Sequence, residues 1–297
     1  MTSANAMQSA AARFPKTALH LRGAFARLRG IGWVGQVCLG VVVLYIFLAF
    51  FGGALAPYSA TDFNMAQLLK PPSWSHLFGT DGYGRDVFSR VLTGARTILS
   101  LGTASTLAGV SVGCAIGLSA AYLGGLLDEA LMRLVDILLA LPGLLLALLI
   151  MTSLGSSPVN IVISIAVVFV PKSARIARSA ALPLRNLGFV DAARMRGSGW
   201  VNIVFRELLP NVRQELLVEF CLRFAYALLL ISSLGFLGFG VQPPTPDWGL
   251  MISESRNFIT VAPWVVAFPA LAIGIIVVVV SVLADSLAKG GRHRGKR

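Results

Sequence analysis

Side chains able to do chemistry are sparse in this chain of 297 residues, and none stands at a productive spacing. Cys38, Cys114 and Cys221 are isolated in or beside apolar stretches, and His20, His76 and His293 are equally scattered. A metal site needs several such ligands converging, commonly in closely spaced pairs. No metal site is therefore expected, and the thiols read as small apolar residues. A phosphate loop needs G-x-x-x-x-G-K and then a hydroxyl residue, its amides and lysine holding the phosphates. The nearest string, Gly290 to Gly295 followed by Lys296 and Arg297, lacks the hydroxyl. If ATP drives this protein, a partner binds it. An ion-coupled carrier tends to place acids at mid-membrane or to break helices there. Here Asp128, Glu129 and Asp136 lie beside Arg133, Glu219 precedes Arg223 by four positions, and Asp285 follows the last apolar run. Pairs at helical i,i+3 or i,i+4 spacing account for most of them. A stand-alone secondary carrier or channel is thereby weakened but stays as the alternative of another class.

The elements that must position these residues are membrane helices. Hydrophobic residues make up 56% of the chain and charged ones 13%, with a mean hydropathy of +0.77. A soluble domain carries about a quarter charged residues, and a disordered chain is poorer still in apolar ones. Uncharged runs cover residues 34–56, 97–127, 137–171, 224–246 and 257–284. The third is too long for one span and is divided by turn-forming residues at 155–160, so the expected architecture is all-α and integral to the membrane, with six transmembrane helices. Pro142 and Pro269 are expected kinks. Residues 34–56 follow basic residues and contain Ala54-Leu55-Ala56, as an export signal does. That run exceeds the roughly 7–15 residues of a signal core, and it is read as a retained helix.

Lys and Arg set the orientation. They cluster in the N-terminal tail (Arg13, Lys16, Arg22, Arg27, Arg29), between the fourth and fifth helices (Lys172 to Arg213) and in the C-terminal tail (Lys289 to Arg297). Both termini and the long loop are thus cytoplasmic, with residues 57–95 and 241–262 outside. The net charge of +12 is topological, and nucleic-acid binding has no soluble domain to carry it. The expected organisation is a basic tail (1–33), a first helix with an extracytoplasmic segment (34–95), a five-helix core (96–288) containing the cytoplasmic loop 179–215, and a second basic tail (289–297).

Three local patterns stand out. Ser105, Gly109, Gly113, Gly117 and Ala121 form a small-residue stripe that lets another helix approach closely, within this chain by the favoured reading or from a second subunit. The cytoplasmic loop carries Asp191-Ala192-Ala193-Arg194-Met195-Arg196-Gly197, a short helix with a small face stopped by glycine, and Pro210 thirteen positions later. Outside, Gly79, Thr80, Asp81, Gly84, Arg85, Asp86, Ser89 and Arg90 make a segment rich in turns and opposite charges. It reads equally as a charge-knit structural loop and as a surface for a partner.

The loop pattern resembles the E-A-A-x3-G…L-P motif of permease subunits in binding-protein-dependent ABC importers, with Asp191 in place of Glu. The external pattern, followed by Gly94-Ala95-Arg96, is similar to the G-T-D-x-x-G-R-D-x-x-S-R signature of dipeptide, oligopeptide and nickel permeases. Gly235 to Pro246 with Trp248-Gly249 resembles their F-L-G-x-G-V-Q-P-P-x-P-x-W-G stretch. The resemblance covers about residues 34–288 and points to the second, C-type subunit. It implies a type I ABC importer permease fold in the inner membrane and no catalysis by this chain. The implied partners are a second permease subunit, two ATPase subunits that use ATP and Mg, and an extracytoplasmic solute-binding protein, all in membrane lipid. Asp191, Ala192, Ala193, Gly197 and Pro210 become the expected ATPase-coupling residues. Small peptides are the expected cargo, with nickel, glutathione or opines as alternatives.

Overall fold

The structure, a computed structural model, describes residues 33–292. The N-terminal basic run, His20, His293 and the end of the glycine-lysine string lie outside the described residues. In chain order the helices are α1 (Trp33–Leu55), α2 (Val87–Leu123), α3 (Gly125–Leu139), α4 (Gly143–Leu154), α5 (Pro158–Ala181), α6 (Gly188–Met195), α7 (Arg213–Phe236), α8 (Trp248–Ser255) and α9 (Trp264–Arg292). Helices α1, α2, α5, α7 and α9 are each long and apolar enough to cross a bilayer. The third expected span is broken. Its halves α3 and α4 meet at 87°, so the described residues hold five continuous candidate spans, or six if the bent pair is one.

Proline chemistry accounts for that corner. Pro142 has no N–H to continue α3 and its ring crowds the preceding turn. The chain leaves the helix at Ala140, and the Pro142 carbonyl accepts the first bond of α4 from Leu146 N–H (3.0 Å). By contrast α9 runs through Pro269 and α5 through Pro171 without interruption.

Three helices extend into charged sequence where a break was expected. α2 begins at Val87 and includes Arg90 and Arg96, α5 continues through Lys172, Arg175 and Arg178, and α7 starts at Arg213 and so contains Glu219 and Arg223. Charge ends a span only if it must face lipid, and several of these groups face protein. The cross-helix pairing also differs from expectation. Glu129 does pair with Arg133 (3.0 Å), but Asp128 is held by Arg178 of α5 through two bonds of 2.6 Å, and Asp136 by Arg175.

α2 and α5 pack most intimately, through the small-residue stripe. A Cβ at Gly109 would lie 2.7 Å from Phe169 Cβ, at Gly113 2.6 Å from the Val170 carbonyl oxygen, and at Gly117 2.1 Å from that of Ala174. The stripe is therefore spent on contact within this chain, and any larger residue would force the helices apart. Around this seam one apolar core joins α1, α2, α4, α5, α7 and α9, while a second gathers the inner end of α2 with α6 and residues 203–216. Cys38 and Cys114 are buried and Cys221 partly so, all unpaired, and among the described residues no cluster suits a metal.

Candidate functional site

On the inner side, α6 and the segment after it form a small platform. Val190 and Ala193 are fully buried and seat α6 against Leu118 and Ala121 of α2 and against Ile203, Val204 and Leu208. Ala193 thus faces this chain's own core; the outward side is Asp191, Arg194, Met195 and Arg196, with Ala192 between. The helix ends in paired reverse bonds, Gly197 N–H to the Arg194 carbonyl (2.9 Å) and Ser198 N–H to that of Ala193 (3.1 Å), with Gly197 at φ +76°. This αL ending is cheap for glycine and costly for a side chain. Asp191 lies in the first turn of α6, where a carboxylate favours the helix dipole, and pairs with Arg194 at 3.2 Å. Arg194 also covers Tyr122 at the end of α2, and Arg185 donates to the Ala121 carbonyl (3.2 Å), tying the platform to a span. A π-turn, Ile203–Leu208, precedes Pro210, whose missing N–H cannot close an ordinary turn. Met195 is 83% exposed, and Trp200, Val201 and Phe205 in the next turns are exposed as well, large apolar side chains interspersed with the Arg196–Glu207 pair (3.3 Å).

The outer segment is built in the opposite sense. Asp81 accepts from the Tyr83 and Arg85 amides (2.9 and 3.0 Å) and from Arg85 Nε (2.7 Å), with Arg90 at 3.5 Å. Both guanidinium groups also meet Glu254 of α8, at 2.7 Å from Arg85 and 3.2 Å from Arg90. Two arginines and two carboxylates thereby neutralise one another, Asp81, Arg85 and Arg90 buried and Glu254 partly so. Asp86 caps α2, accepting from Ser89 N–H (2.8 Å) and Ser89 Oγ (2.7 Å), and takes a third contact from His76 (2.9 Å). Thr80 is fully buried; its hydroxyl accepts from Lys70 N–H (2.8 Å) and donates to the Gln67 carbonyl. Gly84, at φ +72°, leaves room for the Asn64 carbonyl oxygen, which a Cβ there would approach to 1.8 Å. Gly79 is likewise at positive φ.

Residues 113–290 match the family model described as the inner membrane component of binding-protein-dependent transport systems. The chain belongs to this family. Its similarity extends to two proteins named glutathione transport system permease protein GsiD, from Pectobacterium atrosepticum (39% identical) and Escherichia coli O157:H7 (40% identical), each over 83% of this chain and 82% of the relative. In fold it is similar to the MetNI methionine ABC transporter in an inward-facing form, with a TM-score of 0.54 at 18% identity, over 66% of this chain and 93% of that one. The protein is thus an inner-membrane, multi-pass permease of an ABC importer, a non-catalytic transport component that works with ATPase and binding-protein partners.

The permease also uses residues that local sequence did not single out. Glu254 lies far along the chain from the arginines it neutralises, and no spacing rule links them. His76 is a buried partner of Asp86 and stacks near Tyr58. Asp247 is visible in the sequence only as one residue of the proline-rich turn. It caps α8 through Leu250 N–H (3.0 Å) while its other oxygen is buried without a partner, and burial pushes its carboxyl up to about 6.

Proposed function

We propose that this permease forms half of an import pathway for glutathione and related small peptides, beside a second permease subunit and over two ATPase subunits that hydrolyse Mg-bound ATP. The observation that carries the cargo assignment is the roughly 40% identity to permeases named for glutathione across 82% of their length. This favours glutathione, itself a γ-linked tripeptide, over small peptides in general, and over nickel or opines.

The platform of α6 supports a coupling role for Asp191, Ala192, Ala193, Gly197 and Pro210. It presents an exposed apolar patch to the cytoplasm, is anchored by Ala193 to the inner core, and joins α5 to α7. A displacement imposed there by a closing ATPase pair would pass to both spans at once. The test is uptake of labelled glutathione, a dipeptide and nickel by proteoliposomes holding the whole complex with its binding protein. ATP-dependent glutathione uptake well above the others supports the assignment. Preference for nickel or the dipeptide overturns the cargo, and uptake without ATPase subunits overturns the mechanism.

A further inference from the structure

Charge inside a span is costly unless it faces protein or water, and α5 and α7 carry more of it than their pairs consume. Glu219 is buried, accepts from Ser173 Oγ (3.1 Å) and pairs with Arg223 (2.8 Å). Arg223 lies over Phe169, its guanidinium carbon 5.9 Å from the ring centre. Lys172 places its ammonium 5.5 Å from the centre of Tyr226, a ring that itself neighbours Phe169 at 6.0 Å. Among the described residues Lys172 has no carboxylate partner, and the terminal guanidinium nitrogens of Arg223 make no hydrogen bond. One positive charge is left over.

Its direction matters. Ser173 meets Glu219, whereas Phe169, one turn earlier on α5, meets Tyr226 further along α7, so the helices run antiparallel. At about 1.5 Å per residue, Tyr226 is about 10 Å farther than Glu219 from the cytoplasmic end of α7. The Cα–Cβ bond of Lys172 tilts toward the outer end of α5, away from the inner headgroups that a snorkelling lysine seeks. Lys172 is exposed on the surface of this chain, and Arg223 and Tyr226 are partly so. Lipid tails are the setting an unpaired ammonium avoids, so this face borders water or the second permease subunit. The start of α4 adds to it: a Cβ at Gly143 would lie 3.9 Å from the Tyr226 hydroxyl, and the first-turn amides of a helix have no acceptor within it.

We infer that Lys172, Arg223 and Tyr226, with the amino end of α4, form an electropositive patch on the wall of the translocation path that receives the carboxylates of the cargo. The inference rests on the importer reading and specifies where in this chain the cargo passes. A carboxylate there gains charge-assisted hydrogen bonds from Lys172 and Arg223, exposed enough to water to let go again.

Two measurements on the complete complex in proteoliposomes test it. The first uses Lys172→Cys in a background with Cys38, Cys114 and Cys221 replaced by serine. A water-soluble anionic methanethiosulfonate should modify the introduced thiol, and glutathione at saturating concentration should slow the reaction. Modification only by a lipid-soluble maleimide would overturn the inference, because the face would then border lipid. Glutathione import per ATP hydrolysed, at saturating loaded binding protein, should fall about tenfold in Lys172→Gln, the loss of one charge-assisted bond, and recover in Lys172→Arg. Unchanged import in Lys172→Gln, or failure of Lys172→Arg to restore it, would also overturn the inference. If the parent complex imports nothing under ATP, the importer reading fails instead, and the thiol measurement still reports whether the face is wet.

Discussion

The outer segment and the inner platform use the same materials, glycines at positive φ and paired charges, but keep them in opposite places. Outside, Asp81, Arg85, Arg90 and Asp86 are each within 4% of complete burial and locked to partners from another helix or the α2 cap. Inside, Asp191 and Arg194 meet on the surface of a short helix, and Gly197 has open space where a Cβ would go. Buried charge with fixed partners answers to stability, whereas exposed charge around an apolar patch answers to whatever docks there. The outer cradle therefore has the features of architecture, and the inner platform those of the contact surface proposed above.

The largest effects should come from breaking the cradle. Asp81→Ala leaves Arg85 and Arg90 short of a carboxylate in burial, which costs about 3–5 kcal/mol, and the complex should melt many degrees lower in detergent. Gly84→Ala forces both a left-handed backbone and a collision with the Asn64 carbonyl, and a loss of about 2–4 kcal/mol is expected from strain and overpacking together. Membrane levels of both variants, measured by immunoblot, should drop with their melting temperatures. A normal level and melting point for Asp81→Ala would make the cradle a partner surface after all.

Asp247 differs from the other buried aspartates of the outer side, Asp81 and Asp86, in having no cationic partner. Its folded-state value is about 6 against an ordinary 3.8, so the folded protein holds a proton that the unfolded chain releases. The contribution is fully present below the ordinary value and is lost as pH rises through about 6, a loss of about 3 kcal/mol at 1.36 kcal/mol per pKa unit. Asp247→Ser keeps an oxygen for Leu250 N–H without the charge. The wild-type melting temperature should fall between about pH 4 and 7 by more than that of the serine variant. Parallel pH profiles would show that the carboxylate is solvated.

The sequence made the helical membrane architecture legible because a bilayer punishes charge and rewards long apolar runs. It misplaced the starts of α2 and α7 for the same reason. Arg90 is tolerated by Glu254, a partner that no local window contains, and Arg223 by the local Glu219 together with Phe169 of another helix. At the platform, the glycine stop after Arg196 could be read directly, since an αL ending is a local requirement. That Ala193 turns inward while Met195 turns outward could not, because the direction depends on where α2 ends and which face its Leu118 and Ala121 offer.

The smallest stability effect should accompany one of the largest losses of function. Gly197→Asp places a side chain at φ +76° with nothing nearby to strike. Aspartate is among the residues that tolerate this region, so the cost should be about 1 kcal/mol or less. The new carboxylate would nevertheless stand at the exposed end of α6, beside Met195, on the surface proposed to meet the ATPase. We expect normal insertion, a melting temperature within a few degrees of wild type, and ATP hydrolysis that no longer drives uptake. Gly84→Ala provides the contrast: two glycines of similar backbone geometry, one removing the protein from the membrane and the other leaving it in place but idle. Normal uptake by Gly197→Asp would remove the coupling role from α6 and leave Trp200, Val201 and Phe205 as the remaining contact surface on the inner side.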